Sequence, residues 1–264
     1  MKLALTIAGS DPSGGAGIEQ DLRVWQSLGI HGMAIATALT VQNADEVKDV
    51  KPVNPQLVSD RMQALFEAHP PSVIKLGMVA NADVAQAVAE GLQRWAGNIP
   101  LVHDPVLSAS SGTHLLEPSG LRVLLKRLLP RTTVLTPNWD EAVRLSLQVA
   151  SAAGTHEECA AALQKAGADW ICITGGDRNE PKARDFVSGL GVSEYMEGER
   201  HPGPSPHGTG CAFSAATAAF LKPGQSPFSA LKAAKAYVSN AIGRARPLDA
   251  AGQGRRVLVF DGLQ

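Results

Sequence analysis

Short apolar runs alternate with amphipathic segments along most of the chain. The apolar runs occupy residues 3–8, 33–39, 73–76, 101–102, 133–135 and 170–173. Between them, apolar side chains recur every three or four positions, as at Val84, Val88 and Leu92, which is the spacing of one helix face. This spacing predicts helices over residues 18–28, 57–66, 84–95, 121–129, 157–166, 212–221 and 228–242. The alternation is typical of an α/β protein with a mostly parallel central sheet covered by helices.

The pattern weakens over residues 178–206, where glycines, prolines and charged residues dominate. We interpret this segment as a surface excursion that carries a short hairpin of residues 186–187 and 195–196. Whether it closes over a site as a lid is left open. Because no internal repeat, low-complexity tract or linker divides the chain, we expect a single domain over residues 1–264.

Polar, glycine and proline residues follow the apolar runs. In open α/β sheets, ligands bind beyond the carboxyl ends of the strands, so these residues are the first candidates for a site. The segments concerned are residues 9–17, 40–43, 77–78, 104–106, 136–141 and 174–177. We therefore expect one binding site along this edge of the sheet.

A glycine-rich turn precedes the helix predicted over residues 212–221. The backbone N–H groups of Gly208 and Gly210, together with the positive end of the helix dipole, are suited to hold a phosphate, although an ordinary turn has the same residues. A helix N-terminus lowers a thiol pKa, so Cys211 is a candidate proton acceptor, the alternative being a small buried side chain. We assign that alternative to Cys159 and Cys172, which lie within apolar patterns.

Three acidic residues stand out by their positions. Asp21 falls on the apolar face of the helix predicted over residues 18–28, so its carboxylate needs either a ligand or a salt-bridge partner. Asp104 and Glu141 come at or soon after the ends of predicted strands and carry the oxygen ligands that Mg²⁺ takes directly or through water. Each is, alternatively, a solvated acid or a helix cap.

Asn138, Gly175 and Gly176 lie at the same predicted edge. Asn138 either contacts a phosphate or metal-bound water, or caps the helix that follows it. Gly175 and Gly176 either admit a nucleotide close to the backbone or turn the chain. Residues 14–17 match neither a Walker A loop nor G-x-G-x-x-G, which argues against P-loop NTPases and dinucleotide enzymes. A phosphate cradle, metal-seeking acids and a candidate base are the parts that phosphoryl transfer requires.

Composition narrows the class of partner. The chain has 24 Lys+Arg against 25 Asp+Glu with no long run of either sign, so nothing indicates binding to nucleic acid or to a membrane. Its three cysteines show no disulfide or zinc spacing, which favours a reducing cytoplasm. We expect a small-molecule enzyme.

Several segments in order over nearly the whole chain resemble the hydroxymethylpyrimidine/phosphomethylpyrimidine kinase family. They read AGSDPSGGAGIEQD, ALTVQN, KLGM, DPVL, TPNWDEA, TGGD and HGTGCAFSAA, of which the first and last are the most specific. The resemblance implies a ribokinase-like three-layer α/β/α sandwich, usually a homodimer. It also implies phosphorylation of 4-amino-5-hydroxymethyl-2-methylpyrimidine and then of its monophosphate by ATP with Mg²⁺, in thiamine biosynthesis.

The resemblance assigns roles to individual residues. It places the pyrimidine against Gly9, Asp21, Gln42 and Met78, with Asp21 and Gln42 hydrogen-bonded to the ring. It makes Gly208, Gly210 and Cys211 the anion hole and base. It puts Asp104, Asn138 and Glu141 near Mg²⁺ and the phosphates, and Thr174, Gly175 and Gly176 near the nucleotide.

The chain departs from the family pattern in two places. Thr174 stands where many members have the lysine of Lys-Gly-Gly-His, and Ser110 where many have the lysine of Ala-Lys-Ser-Gly. Two positive charges near the phosphates are therefore missing, and His114 and Lys182 are candidate replacements.

Two other functions stay open. A pyridoxal or pyridoxine kinase has the same fold and a similar hydroxymethyl acceptor, although Cys211 with Gln42 and Met78 favours the pyrimidine. A catalytically idle pyrimidine-binding regulatory protein would keep the pocket without turnover, whereas the retained Asp104 and Glu141 favour an enzyme.

Overall fold

A nine-stranded sheet runs through the computed structural model, which describes residues 1–109, 112–150, 153–176, 181–249 and 254–261. Its strands are β1 (Leu3–Ser10), β2 (His31–Gln42), β3 (Val47–Pro52), β4 (Val73–Leu76), β5 (Leu101–His103), β6 (Val134–Leu135), β7 (Trp170–Ile173), β8 (Ala183–Gly189) and β9 (Val192–Gly198). The strand order is β3-β2-β1-β4-β5-β6-β7-β8-β9. The six strands expected from the apolar runs pair in parallel, whereas β3, β8 and β9 pair antiparallel at the two edges.

The helices that connect the strands are α1 (Gly17–Ser27), α2 (Pro55–Ala68), α3 (Ala82–Gly91), α4 (Pro118–Val123), α5 (Trp139–Val149), α6 (His156–Lys165), α7 (Thr209–Phe220) and α8 (Pro227–Gly243). Wider helical turns extend α3 over Leu92–Ala96 and α4 over Leu124–Leu128. A two-stranded ribbon of β10 (Arg246–Pro247) and β11 (Arg256–Val257) follows. Every helix predicted from the apolar spacing is present, and α5 is the further helix that the capping alternative for Asn138 implied.

The helices form one layer on each face of the sheet. Helices α2 to α6 pack with Leu5, Ile74 and Leu135 on one face, and α1, α7 and α8 pack with Val102 and Val134 on the other. Successive strand residues point to opposite faces, so the central strands are apolar throughout. The predicted three-layer α/β/α sandwich with a mostly parallel central sheet is confirmed. Cys159 and Cys172 are fully buried in it, as expected.

Helix α7 has the largest number of buried residues among the described helices. Eight of its residues, from Ala212 to Ala219, are buried between the sheet, α1 and α8, and all of them except Phe213 have small side chains, which permit close packing. The indole Nε1 of Trp25 in α1 donates to the carbonyl oxygen of Ala215 at 2.9 Å. These contacts hold the N-terminus of α7 in a fixed position at the carboxyl edge of the sheet.

The interpretation of residues 178–206 as a surface excursion is wrong for its first strand. Phe186 and Val187 in β8 are buried, and β8 pairs with β7 as part of the main sheet. The predicted hairpin is confirmed, with Phe186 opposite Tyr195. Residues 178–180 lie outside the described residues. Of the helices that the structure describes, none has the length and apolar character needed to cross a membrane.

Candidate active site at the carboxyl edge of the sheet

A cavity of about 880 Å³ opens beyond the carboxyl ends of the parallel strands. Its wall is formed by the loops after β1, β2, β4, β5, β6 and β7 and by the N-terminus of α7. Most of the residues singled out in the sequence line it, namely Gly9, Gln42, Met78, Asp104, Asn138, Glu141, Thr174, Gly176, Gly208, Gly210 and Cys211. Within the cavity, Gly9 lies against the Met78 side chain. Two of the residues expected at the pyrimidine are therefore neighbours.

Asp21 does not reach the cavity. Its carboxylate is fully buried, and Oδ2 accepts hydrogen bonds from Thr6 Oγ1 at 2.6 Å and from Lys75 Nζ at 2.9 Å. Of the two roles left open, the structure shows the salt bridge. A direct hydrogen bond from Asp21 to a pyrimidine in the cavity is therefore not supported, because Lys75 occupies the intervening position on the lining.

Gly175 does not line the cavity either. A side chain at this position would overlap the carbonyl oxygen of Arg184 in β8, so the glycine is required for the close approach of two strands. Its N–H donates to Asp185 Oδ1 at 3.1 Å. The structural alternative applies to Gly175, whereas Gly176 and Thr174 do line the cavity.

The N-terminus of α7 forms a cradle of backbone N–H groups. Gly208 caps the helix in a left-handed conformation with φ of 76°, and a side chain on it would overlap the carbonyl oxygen of Gly15. As first-turn groups, the N–H groups of Thr209, Gly210 and Cys211 have no intrahelical acceptor, and the cap residue Gly208 provides no side-chain acceptor for them. These groups face a cavity large enough for a nucleotide and a small acceptor, which suits them to bind a phosphoryl group.

The pKa of Cys211 moves in the direction opposite to the prediction. Burial raises the pKa of the Cys211 thiol to about 12; the positive charge of Lys75 opposes this effect, and Asp104 and Asp21 reinforce it. The predicted lowering by the helix N-terminus is therefore wrong, and Cys211 is a neutral thiol at pH 7. The thiol hydrogen-bonds to the carboxylate of Asp104.

Asp104, Glu141 and Asn138 form the side of the cavity between β5 and α5. Asp104 Oδ2 accepts from Ser214 Oγ at 3.1 Å and lies 4.0 Å from Lys75 Nζ, and burial raises its pKa. Glu141 accepts from the backbone N–H groups of Leu107 and Asn138, and Asn138 caps α5 in return. Asn138 and Glu141 thus form a capping box at the start of α5, so the structural alternative is present for both residues.

These acids fit a hydrated Mg²⁺ rather than a protein cage. Among the described residues, no group of three or more His, Cys, Asp or Glu side chains is arranged to hold a metal ion. Mg²⁺ commonly keeps several waters and binds through one or two carboxylates and the substrate phosphates. Asp104 and Glu141 are two such carboxylates in the lining of the cavity.

A hydrogen bond between two side chains joins the two glycine-rich loops. His207 Nε2 lies 2.8 Å from Asp11 Oδ2, and Asp11 also accepts from the backbone N–H groups of Ser13 and Ala16. The hydrogen bond from His207 contributes to a lowered pKa of Asp11 against the opposing effect of its burial. The pair therefore fixes the loop after β1 against the N-terminus of α7.

The cations of the cavity are not those expected. Lys182 is bound to Glu197 at 2.5 Å, and neither Lys182 nor His114 lines the cavity. Ser110 lies outside the described residues. The described lining instead contains Lys75, Arg144, Lys235 and Arg255.

The sequence reasoning gave no individual role to several residues of this site, among them Asp11, Lys75, Asp185, His207 and Lys235. Lys75 carried a signal, because a lysine inside a buried apolar run needs a partner. Asp11 and His207 stood inside the two most specific segments. Asp185 and Lys235, which pair at 2.6 Å beside Gly175, carried no local signal.

Comparison with known proteins places this arrangement among vitamin kinases. A family model described as phosphomethylpyrimidine kinase matches residues 11–255. The hydroxymethylpyrimidine/phosphomethylpyrimidine kinase of Rhizobium meliloti strain 1021 is 38% identical over 256 residues, which cover 96% of this chain and 94% of the relative.

Solved structures give the same picture. The ADP complex of Bacillus subtilis pyridoxal kinase superposes with a TM-score of 0.82 at 32% identity, covering 94% of each chain. The phosphomethylpyrimidine kinase of Clostridium difficile 630 superposes with a TM-score of 0.77 at 29% identity, covering 92% of this chain and 100% of the other.

Proposed function

The chain belongs to the phosphomethylpyrimidine kinase family, and from this premise we propose that it phosphorylates 4-amino-5-hydroxymethyl-2-methylpyrimidine with ATP, and then the monophosphate to the diphosphate. These are the two phosphorylations that the family contributes to thiamine biosynthesis. The observation that carries the proposal is the cradle at the N-terminus of α7, with Cys211 beside it. Gly9, Gln42, Met78, Thr174 and Gly176 all line the same cavity. We assign the first three to the pyrimidine and the last two to the nucleotide.

The chemistry follows from the protonation state of Cys211. As a neutral thiol, Cys211 accepts the proton of the hydroxymethyl group only as its own proton leaves. Asp104 accepts a hydrogen bond from this thiol, and burial raises the pKa of its carboxyl, which suits Asp104 to receive the displaced proton. The acceptor oxygen attacks the γ-phosphorus while the bond from phosphorus to ADP breaks, and the N–H groups of α7 hold the phosphoryl oxygens.

The second phosphorylation makes a smaller demand on Cys211. The attacking oxygen then belongs to a phosphate that is already ionised at neutral pH, so no base is needed. Asp104 and Glu141 are the residues that would hold Mg²⁺ through water, and when bound with ATP the ion would neutralise phosphate charge. ATP as the donor is supported by the related pyridoxal kinase that binds ADP.

Pyridoxal kinase activity is the second candidate. The similarity to the Bacillus subtilis pyridoxal kinase, at 32% identity and a TM-score of 0.82, is as high as that to the Clostridium difficile phosphomethylpyrimidine kinase. Both acceptors present a hydroxymethyl group on a nitrogen heteroaromatic ring. Their turnover must therefore be compared directly.

The deciding experiment measures ADP formation by the purified protein with ATP and Mg²⁺. Hydroxymethylpyrimidine, its monophosphate and pyridoxal are offered separately, and the products are separated by chromatography. Turnover of both pyrimidines with little turnover of pyridoxal is expected. Turnover of pyridoxal alone would move the protein to the vitamin B6 kinases, and turnover of none of the three would favour the idle binding protein.

We also propose a homodimer in the cytoplasm. Leu39 and Val41 support the dimer, because they project from the same face of β2 and are 56% and 53% exposed. The three free cysteines are consistent with a reducing compartment. Sedimentation velocity on the wild-type protein and on a Leu39→Asp/Val41→Asp variant tests the dimer, which the two charges should dissociate.

A further inference from the structure

The cavity is rich in carboxylates for an enzyme that handles phosphates. Its described lining includes the acids Asp11, Asp45, Glu46, Asp104, Asp140, Glu141, Asp185 and Glu199. Only four lysine and arginine residues of the described chain face them. Both acceptor and donor of the proposed second phosphorylation carry negative charge, so each cation that is free to meet a phosphate matters.

Three of the four cations are already engaged. Lys75 is bound to Asp21 at 2.9 Å, and Lys235 is bound to Asp185 at 2.6 Å. Arg255 has a partner as well. Removing either lysine from its carboxylate would leave a buried charge without compensation.

Arg144 differs from these three. It lies on α5, one turn beyond Asp140, and its Nη1 donates to the neutral Ser108 Oγ at 3.2 Å. Within the described residues it forms no ion pair, although it lines the cavity. Its guanidinium therefore has donors left for an anion in the cavity.

The contact with Ser108 places Arg144 in the part of the cavity where the pyrimidine is proposed to bind. The segment that contains Ser108 begins with Val106, which packs against the cluster of Ala38, Met78 and Ala80. Met78 in turn touches Gly9, so this wall belongs to the end where the pyrimidine is proposed to bind. We assign the nucleotide to another part of the lining, which comes from the region of β7, β8 and α8.

We infer that Arg144 binds the phosphate group of the monophosphate acceptor and so favours the second phosphorylation over the first. This inference rests on the proposed function. A guanidinium matches a phosphate with two parallel hydrogen bonds, which the ring of an unphosphorylated acceptor cannot use. Arg144 thus makes the chain selective between two acceptors that differ only by a phosphate.

The first test is the binding of the two acceptors without nucleotide, measured by calorimetry. Arg144→Gln is expected to raise the Kd of the monophosphate about tenfold and to leave the Kd of hydroxymethylpyrimidine within about twofold, which corresponds to one charge-assisted contact. Arg144→Lys should recover part of the affinity because it keeps the charge. Arg61→Gln, an exposed arginine on α2, is the matched control.

The second test separates the charge of Arg144 from its contact with Ser108. Ser108→Ala removes the tether and keeps the guanidinium, so the ratio of kcat/KM for the two acceptors should stay within about twofold of the wild-type ratio. Arg144→Gln should lower kcat/KM for the monophosphate about tenfold relative to kcat/KM for hydroxymethylpyrimidine. If Ser108→Ala reproduces the loss, Arg144 acts by holding the loop, and the inference fails.

Two further outcomes would overturn the inference while leaving the proposed function intact. One is an equal loss in both phosphorylations with weaker binding of a nonhydrolysable ATP analogue, which would assign Arg144 to the nucleotide. The other is no change in either acceptor. Absence of pyrimidine turnover by the wild-type protein would instead overturn the proposed function, and the inference with it.

Discussion

At Cys211, burial outweighs the field of a helix terminus. A helix N-terminus stabilises a thiolate by roughly 0.3–1 kcal/mol near the surface. Burial beside the carboxylates of Asp104 and Asp21 disfavours the same thiolate by more, and the pKa rises to about 12. The residue type at this position was readable from the sequence, but its protonation state was not, because both carboxylates come from distant segments.

Replacing Cys211 by alanine tests its role in proton transfer. The first phosphorylation should slow by roughly 10²- to 10⁴-fold in kcat, the usual contribution of a positioned acid or base. The KM for hydroxymethylpyrimidine should change little, and the second phosphorylation should slow less because its acceptor is already ionised. Steady-state kinetics with each acceptor provide the measurement. Normal turnover of hydroxymethylpyrimidine by the variant would remove Cys211 from the proton path.

Gln42 is the polar side chain expected to recognise the pyrimidine ring. Gln42→Leu leaves ring donors and acceptors without partners, which costs about 1–3 kcal/mol and should raise the KM for hydroxymethylpyrimidine at least fivefold. Gln148→Leu, on the exposed face of α5, is the matched control. An unchanged KM in the Gln42 variant would show that the ring binds elsewhere.

Asp21 shows what residue patterns leave out. Its place on an apolar helix face correctly indicated that it needs a partner. The partners, Thr6 and Lys75, become neighbours only when β1 and β4 pair in register, which sets Thr6 directly opposite Lys75. Sequence spacing alone offered no means to choose this salt bridge over a ligand.

Among the elements, the turn into α7 carries the most specific geometry. Gly208→Ala should destabilise the protein by about 1–3 kcal/mol and remove most activity, since the left-handed backbone strains a side chain and the new methyl group overlaps Gly15. Gly224 has a similar φ of 75° but open space around it, so Gly224→Ala isolates the backbone cost. Urea unfolding and kcat are measured for both variants. If both variants were destabilised equally and kept full activity, the close contact between Gly208 and Gly15 would not be required.

The elements that the sequence indicated are those with strong apolar patterns. The parallel strands are buried on both faces and read as continuous apolar runs. Strand β3 lies at an edge with mostly exposed side chains, and its sequence VKDVKP contains no such run. Strand β8 mixes Arg184 and Asp185 with Phe186 and Val187, because one end of it borders the cavity.

At the scale of the whole molecule, folding buries ionisable groups of the sheet and its helices, such as Asp21, Lys75 and His103, and so couples stability to pH. Burial, reinforced by the positive charge of Lys75, lowers the pKa of His103 to about 3. The unfolded chain binds a proton at this histidine below pH 6.5, whereas the folded protein does not. Stability is therefore greatest above pH 6.5 and is lost progressively as the pH falls towards 3.

His103→Gln should remove this component of the pH dependence. In the wild-type protein, His103 contributes a decline of about 1.4 kcal/mol per pH unit in the free energy of unfolding, well below pH 6.5. Urea unfolding at pH 7 and pH 5 without added metal gives the slope for each protein. His69→Gln, at an exposed position, should keep the wild-type slope. The same slope in the His103 variant would contradict the assignment.

The fold class and the edge that carries the site both follow from local patterns, because each depends on runs of a few residues. The completed site does not, since its electrostatics depend on pairs such as Lys75 with Asp21 and Lys235 with Asp185, which are 54 and 50 residues apart. Such pairs become visible only when the order of the strands is known.

The hydrogen bond between Asp11 and His207 joins positions 196 residues apart. During synthesis, the loop after β1 that contains Asp11 therefore leaves the ribosome long before the N-terminus of α7, which forms the phosphate cradle. Contacts of such long range form slowly, because much of the chain must be ordered first. Regain of kinase activity during refolding should accordingly trail the regain of helical circular dichroism, and enzymatic competence should be among the last properties that a newly made molecule acquires.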